Sequence, residues 1–174
     1  PDWSRGLGDV YKRQMCQWAS KPLPVSATQW HDNQLHVRLS GAQSAVSVAA
    51  KELGGETLNE QTATQLWQDL REQRHVFFNG PSMISSNGST PEQQQLWRIA
   101  LPANEGVFPV MDQDDTHTLL EWNGTQRWLN IATSTLSIGE DIKDQAKAMG
   151  GHATLFRTNG SRDDVFTKLP APLH

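Results

Sequence analysis

Leu119-Leu120-Glu121-Trp122-Asn123-Gly124-Thr125-Gln126-Arg127-Trp128-Leu129-Asn130-Ile131 decides the fold class. Two runs rich in apolar and aromatic residues flank Asn-Gly, the pair that best tolerates the two positive φ values of a type I′ turn. A two-residue turn there predicts an antiparallel hairpin with Leu119 opposite Trp128 and Leu120 opposite Arg127. A tight hairpin of this kind belongs to an antiparallel sheet, because parallel strands need a long crossover.

Working outward, the same grammar repeats. Upstream, Leu96 to Leu101 reads as a strand stopped by Pro102. Further up, Val25 to Trp30 and Leu35 to Leu39 are strands joined by His31-Asp32-Asn33-Gln34, which carries turn chemistry. Ala42, Ala45, Val46, Ala49 and Leu53 follow at helical spacing, closed by Gly54-Gly55. A second helix shows Ala63, Leu66, Trp67 and Leu70 on one face. Asn79 to Gln95 lacks periodicity and reads as a loop. Downstream, Ser137 and Glu140 resemble a capping box for a helix with Ile142, Ala146 and Met149 inward. Gly150-Gly151 ends that helix, and His152 to Thr158 is the last strand. The predicted order is β-β-α-α-β-β-β-α-β: an α+β fold, an antiparallel sheet with helices packed mainly on one face.

The 174 residues suit one domain with one real core. A formal charge of −4, with no run of Lys or Arg, argues against general nucleic-acid or anionic-membrane binding. The apolar stretches fall far short of the roughly 20 residues of a membrane span. Cys16 is the lone cysteine, which excludes an internal disulfide and fits a cytoplasmic compartment. The Asn-Gly-Ser/Thr triplets at Asn87, Asn123 and Asn159 therefore read as turns, not glycosylation acceptors. Residues 1–14 read as a non-native leader: Asp9-Val10-Tyr11-Lys12-Arg13-Gln14 matches the translation of a transposase adapter used in sequencing. Residues 15–174 are then the native domain, expected to be truncated at its C-terminus.

Familiar site signatures are missing. There is no G-x-G-x-x-G, no phosphate loop, since no Gly-Lys pair occurs, and no G-x-S-x-G. One cysteine cannot build a cysteine zinc site, no histidine pair has metalloprotease spacing, and His31 and His36 read as turn and strand histidines. Two polar residues on strands remain as candidates. Arg98 is either an ion-paired strand arginine or a planar fork for a substrate carboxylate. His152 either caps the preceding helix or serves as a catalytic acid/base at an element end. No metal site is expected.

The blocks Pro22-Leu23-Pro24-Val25-Ser26, Trp30 to Leu39, Ala49 to Glu56, Leu66 to Gln73, Leu96 to Pro102, Arg127-Trp128-Leu129 and Gly150-Gly151-His152-Ala153-Thr154 occur in one order. That ordered set, spanning about Met15 to Leu173, resembles the C-terminal cap region of the FAD-binding E subunits of bacterial glycolate oxidases. The resemblance implies the substrate (cap) domain of a flavoprotein of the vanillyl-alcohol-oxidase type, with FAD held mainly by an N-terminal domain absent from this chain. It further implies a complex with a homologous flavin-containing D subunit and an iron–sulfur F subunit. That complex would oxidise glycolate to glyoxylate at the inner face of the cytoplasmic membrane; this piece alone is expected to be inactive. Leu155 stands where the family usually has arginine, and Arg157 is expected on the same strand face. The loop at residues 79–95 also looks longer than in that family. A small-molecule-binding module and a Trp-rich docking scaffold remain as non-enzymatic alternatives, since fold alone does not assign function.

Overall fold

A computed structural model describes residues 13–79, 93–103, 105, 106, 108, 117–133 and 138–158. Its strands are β1 (Val25–His31), β2 (Gln34–Leu39), β3 (Gln93–Ala100), β4 (His117–Glu121), β5 (Gln126–Thr133) and β6 (His152–Thr158). Its helices are α1 (Gln43–Leu53), α2 (Glu60–Arg71), the single turn α3 (Val76–Asn79) and α4 (Ile138–Ala148). The strands form one sheet in the order β2-β1-β4-β5-β3-β6, and every pairing is antiparallel. The expected α+β class and element order are borne out, with α3 and a helical stretch over residues 13–19 as additions.

The deciding hairpin has the expected register: Leu119 faces Trp128 and Leu120 faces Arg127. Asn123 takes φ 57° and ψ 30° and Gly124 φ 81°, the signs of a type I′ turn. Thr125 N donates to Trp122 O at 3.2 Å across it. Trp122 is itself left-handed (φ 51°), so the pairing stops at Glu121 and Gln126 and four residues make the connection.

One expectation needs amending: helices stand against both faces of the sheet. β3 and β5 each carry apolar side chains at consecutive positions, the mark of a strand buried on both sides. Trp97, Ile99, Leu129, Ile131, Ala153 and Leu155 face α4 through Ile142 and Ala146. Leu96, Leu119 and Trp128 face α2 and α3 through Leu70, Phe77 and Phe78. Ile99, Leu129 and Ile142 are fully buried, and such a side chain contributes about 1.5–3 kcal/mol. On the second face Phe77, Phe78, Trp128 and Phe156 meet edge to face in series, with centroids 5.1–5.3 Å apart.

Two further boundaries move. β3 begins at Gln93, because Gln93, Gln94 and Gln95 pair with Thr133, Ala132 and Ile131; the central part of the expected loop, residues 80–92, lies outside the described residues. Ser137 of the expected capping box lies outside them as well. So do residues 1–12 of the expected leader, while Arg13 and Gln14 share a helical stretch (13–19) with fully buried Met15. Among the described residues, no helix is long and apolar enough to cross a membrane.

Candidate functional site

The site is set by the pleat. Residues directly opposite in an antiparallel pair share a face. One cross-strand row therefore reads Glu121, Gln126, Ala100, His152, and the next Leu119, Trp128, Arg98, Thr154. Arg98 and His152, singled out independently in the sequence, are thus diagonal neighbours on one face, a relation that sets Cα atoms about 7–8 Å apart. This is the face that α2 and α3 cover farther along the sheet. Here Arg98, His152 and Phe156 are exposed. Neither the Arg98 nor the His152 side chain has a hydrogen-bond or ion-pair partner among the described residues.

Local sequence explains the placement of His152. Gly150 (φ 74°) turns the chain out of α4, its N–H donating to Lys147 O, while Gly151 N–H donates to Ala146 O. A Cβ on Gly151 would lie 2.0 Å from Ala100 O, so only glycine lets β6 start this close to β3. The helix end is capped by those two amides, which leaves the imidazole free of that duty.

A cleft of about 320 Å³ opens at this end of the sheet, with Ala100, Pro102, Trp122, Gln126, Gly151 and His152 among its lining. Trp122 is 68% exposed and left-handed, an uncommon backbone state for a bulky residue. Glu121 Oε2 accepts from Trp128 Nε1 (2.7 Å) and from Gln126 Nε2 (3.0 Å). The carboxylate so fixes the Gln126 amide on the cleft wall. The sequence reading missed Glu121, Trp122 and Gln126; their cross-strand register was legible in the hairpin. It also missed Arg127, a buried guanidinium that donates to the carbonyls of Gly124, Glu105 and Gly106 and so pins the segment after Pro102.

The second arginine is not where it was expected. A bulge in the β3–β6 pairing sets Leu155 opposite Trp97 but Arg157 opposite Leu96. Leu155 is buried against α4, whereas Arg157 reaches α3 on the other face, donating to Gln73 Oε1 at 2.9 Å and Phe78 O at 3.4 Å.

Titration is perturbed elsewhere, at the β1–β2 edge. His75 is pushed below the ordinary histidine value by burial, and by the neighbouring His31 and His36. Burial lowers His36 too. Asp69 is held low by the Gln65 amide and then by Arg74. Among the described residues no group of His, Cys, Asp or Glu is arranged to hold a metal ion.

The chain is 37% identical over 162 residues to glycolate oxidase subunit GlcE of Escherichia coli (strain K12). It is similar to a piece of that subunit. The match takes in 92% of this chain and 38% of GlcE, so the chain spans well under half the length of this relative. The resemblance read from the ordered sequence blocks is borne out. No protein-family model matches the chain, and no solved structure matches it.

The resemblance to GlcE raises FAD, and the described residues fit it only in part. Gly54 and Gly55 stand in open space at the end of α1, and Gly151 is closed against β3, so no described glycine turn cradles a diphosphate. What the chain offers is a wall with a planar fork, an imidazole, an amide and an exposed indole.

Proposed function

We propose that this chain is the C-terminal cap portion of an FAD-dependent 2-hydroxy-acid oxidoreductase subunit of the glycolate oxidase type, of vanillyl-alcohol-oxidase fold. The supporting observation is the shared face: the sheet register puts Arg98 and His152 side by side, exposed and without side-chain partners among the described residues, in a chain 37% identical to a glycolate oxidase subunit. The parent would hold FAD mainly through its N-terminal domain. It would work with a D-type flavin subunit and an iron–sulfur F-type subunit at the cytoplasmic face of the membrane, turning glycolate into glyoxylate.

In this reading Arg98 binds the substrate carboxylate with two parallel N–H donors, which orients the C2 carbon. His152 takes the proton of the C2 hydroxyl as the alcohol becomes a carbonyl. Bound flavin supplies the two-electron acceptor for the C2 hydrogen. Gln126, held by Glu121, offers a fixed polar contact, and Trp122 shields the cleft mouth from water.

The test uses a full-length parent subunit assembled with its partners. Arg98→Lys keeps the charge but loses the fork, and is expected to lower kcat/KM for glycolate about tenfold or more, equivalent to about 1.4 kcal/mol. His152→Ala is expected to lower kcat with assembly intact. Unchanged kinetics and flavin content in both variants would return the two residues to a structural role.

A further inference from the structure

The bulge at the far end of β6 builds a second polar cleft on the same sheet face. Because Arg157 lies opposite Leu96, and Leu96 opposite Asn130, the three stand in one row over the α3 side. The cleft holds about 260 Å³; Asn79, Gln94, Arg157 and Thr158 supply polar groups over an apolar floor of Leu96 and Phe78. Its back wall is fixed: Asn130 is buried, donates to Phe77 O at 2.9 Å and accepts from Gln94 Nε2 at 3.2 Å.

Arg157 is aimed by neutral groups only, the Gln73 amide oxygen and the Phe78 carbonyl. No carboxylate pairs with it among the described residues, where the ion pairs are Lys21–Glu52, Arg71–Glu72 and Arg74–Asp69. A guanidinium has five N–H donors. Two are used, and three remain on a planar fork beside the cleft. A bulge that re-aims a side chain in this way is commonly found beside a site.

We infer that this cleft binds a small carboxylate, gripped by Arg157. The fork matches two coplanar oxygens, the single cation suits a monoanion, and the Leu96–Phe78 floor suits a short carbon chain more than inorganic phosphate. This cleft is distinct from the one at Arg98 and His152, at the other end of the same face, and does not rest on the flavoprotein reading.

The experiment titrates the 174-residue chain, ¹⁵N-labelled, with acetate and, separately, with inorganic phosphate. Acetate is expected to give saturable shifts centred on the amides of Asn79, Gln94, Arg157 and Thr158. Arg157→Lys is expected to weaken acetate binding about tenfold or more. Shifts that stay linear, that centre on Arg98 and His152, or that saturate at lower phosphate than acetate would overturn the inference. Undiminished acetate affinity in a folded Arg157→Lys chain would do the same. If the substitution unfolds the chain, the shift map of the unmodified protein decides alone.

Discussion

His75 Nδ1 accepts a hydrogen bond from Phe77 N–H at 3.3 Å, at the start of α3. That nitrogen must be unprotonated, so the neutral imidazole holds the turn whose Phe77 and Phe78 close over β4 and β5. His31 presents its Nδ1 to Thr118 O at 2.9 Å, which requires an N–H there, and its ring meets His75 edge-on with centroids 5.5 Å apart. The titratable groups that act on His75 are His31 and His36 from the first hairpin and Asp69 on α2, which is itself paired with Arg74. Folding depresses the pKa of His75, and of His36, so the unfolded chain binds protons more readily. Their contribution to stability is complete above the unfolded value, near 6.5, and is lost as pH falls through the folded value. The urea midpoint should fall between about pH 7 and about pH 5, and His75→Asn, which keeps an acceptor but does not titrate, should fall less steeply. An asparagine variant as steep as the parent chain would show that His75 carries none of this dependence. Arg98 and His152 were legible as candidates because each interrupts an otherwise core-like strand. His75 was not legible, since its role depends on a neighbour two residues on and on strands distant in sequence.

At the scale of elements, local chemistry was the part most readable from sequence. Asn123-Gly124 set the β4–β5 register, Asp32 and Asn33 adopt the positive φ values their turn needs, and Gly54 and Gly150 end helices. What could not be read is what the chain does only in contact with itself. The bulge that turns Arg157 away from Leu155 shows in the sequence only as a break in alternation at Leu155-Phe156, which alone does not say which way Arg157 turns. The second covered face of β3 was signalled by Leu96-Trp97 and Trp128-Leu129, yet the same runs fit a strand buried on one side with an exposed tryptophan. Gly151 allows a test of the element that aims His152. Gly151→Ala drives a Cβ into Ala100 O and to 2.6 Å from Leu101 Cδ2, and should cost about 2–4 kcal/mol. Gly106→Ala meets nothing within 4 Å and needs no positive φ, so it should cost less than about 1 kcal/mol. Equal losses in urea titrations would mean that the close β6–β3 approach is not what Gly151 secures.

For the whole molecule, the arrangement is a six-stranded sheet with α4 on one face and α2–α3 over part of the other. Among the described residues no helix covers the remainder of that second face, over β3 and β6. On it lie Arg98 and His152, whose side chains have no partner among the described residues, with Phe156 and the strained, exposed Trp122 near by. In the reading proposed above, such a face would form one wall of a site completed elsewhere in a longer protein; the chain covers 38% of the length of its GlcE relative. The composition, order of elements and sequence blocks led to that comparison. The position of the site came from the register, because only pairing across strands brings residue 98 beside residue 152. The most direct test is amide hydrogen exchange on the full-length parent with and without FAD. The account predicts that FAD slows exchange in β3 and β6 around Arg98 and His152, and leaves α4 on the opposite face unchanged. Protection confined to α4, or none anywhere in the segment corresponding to this chain, would contradict it.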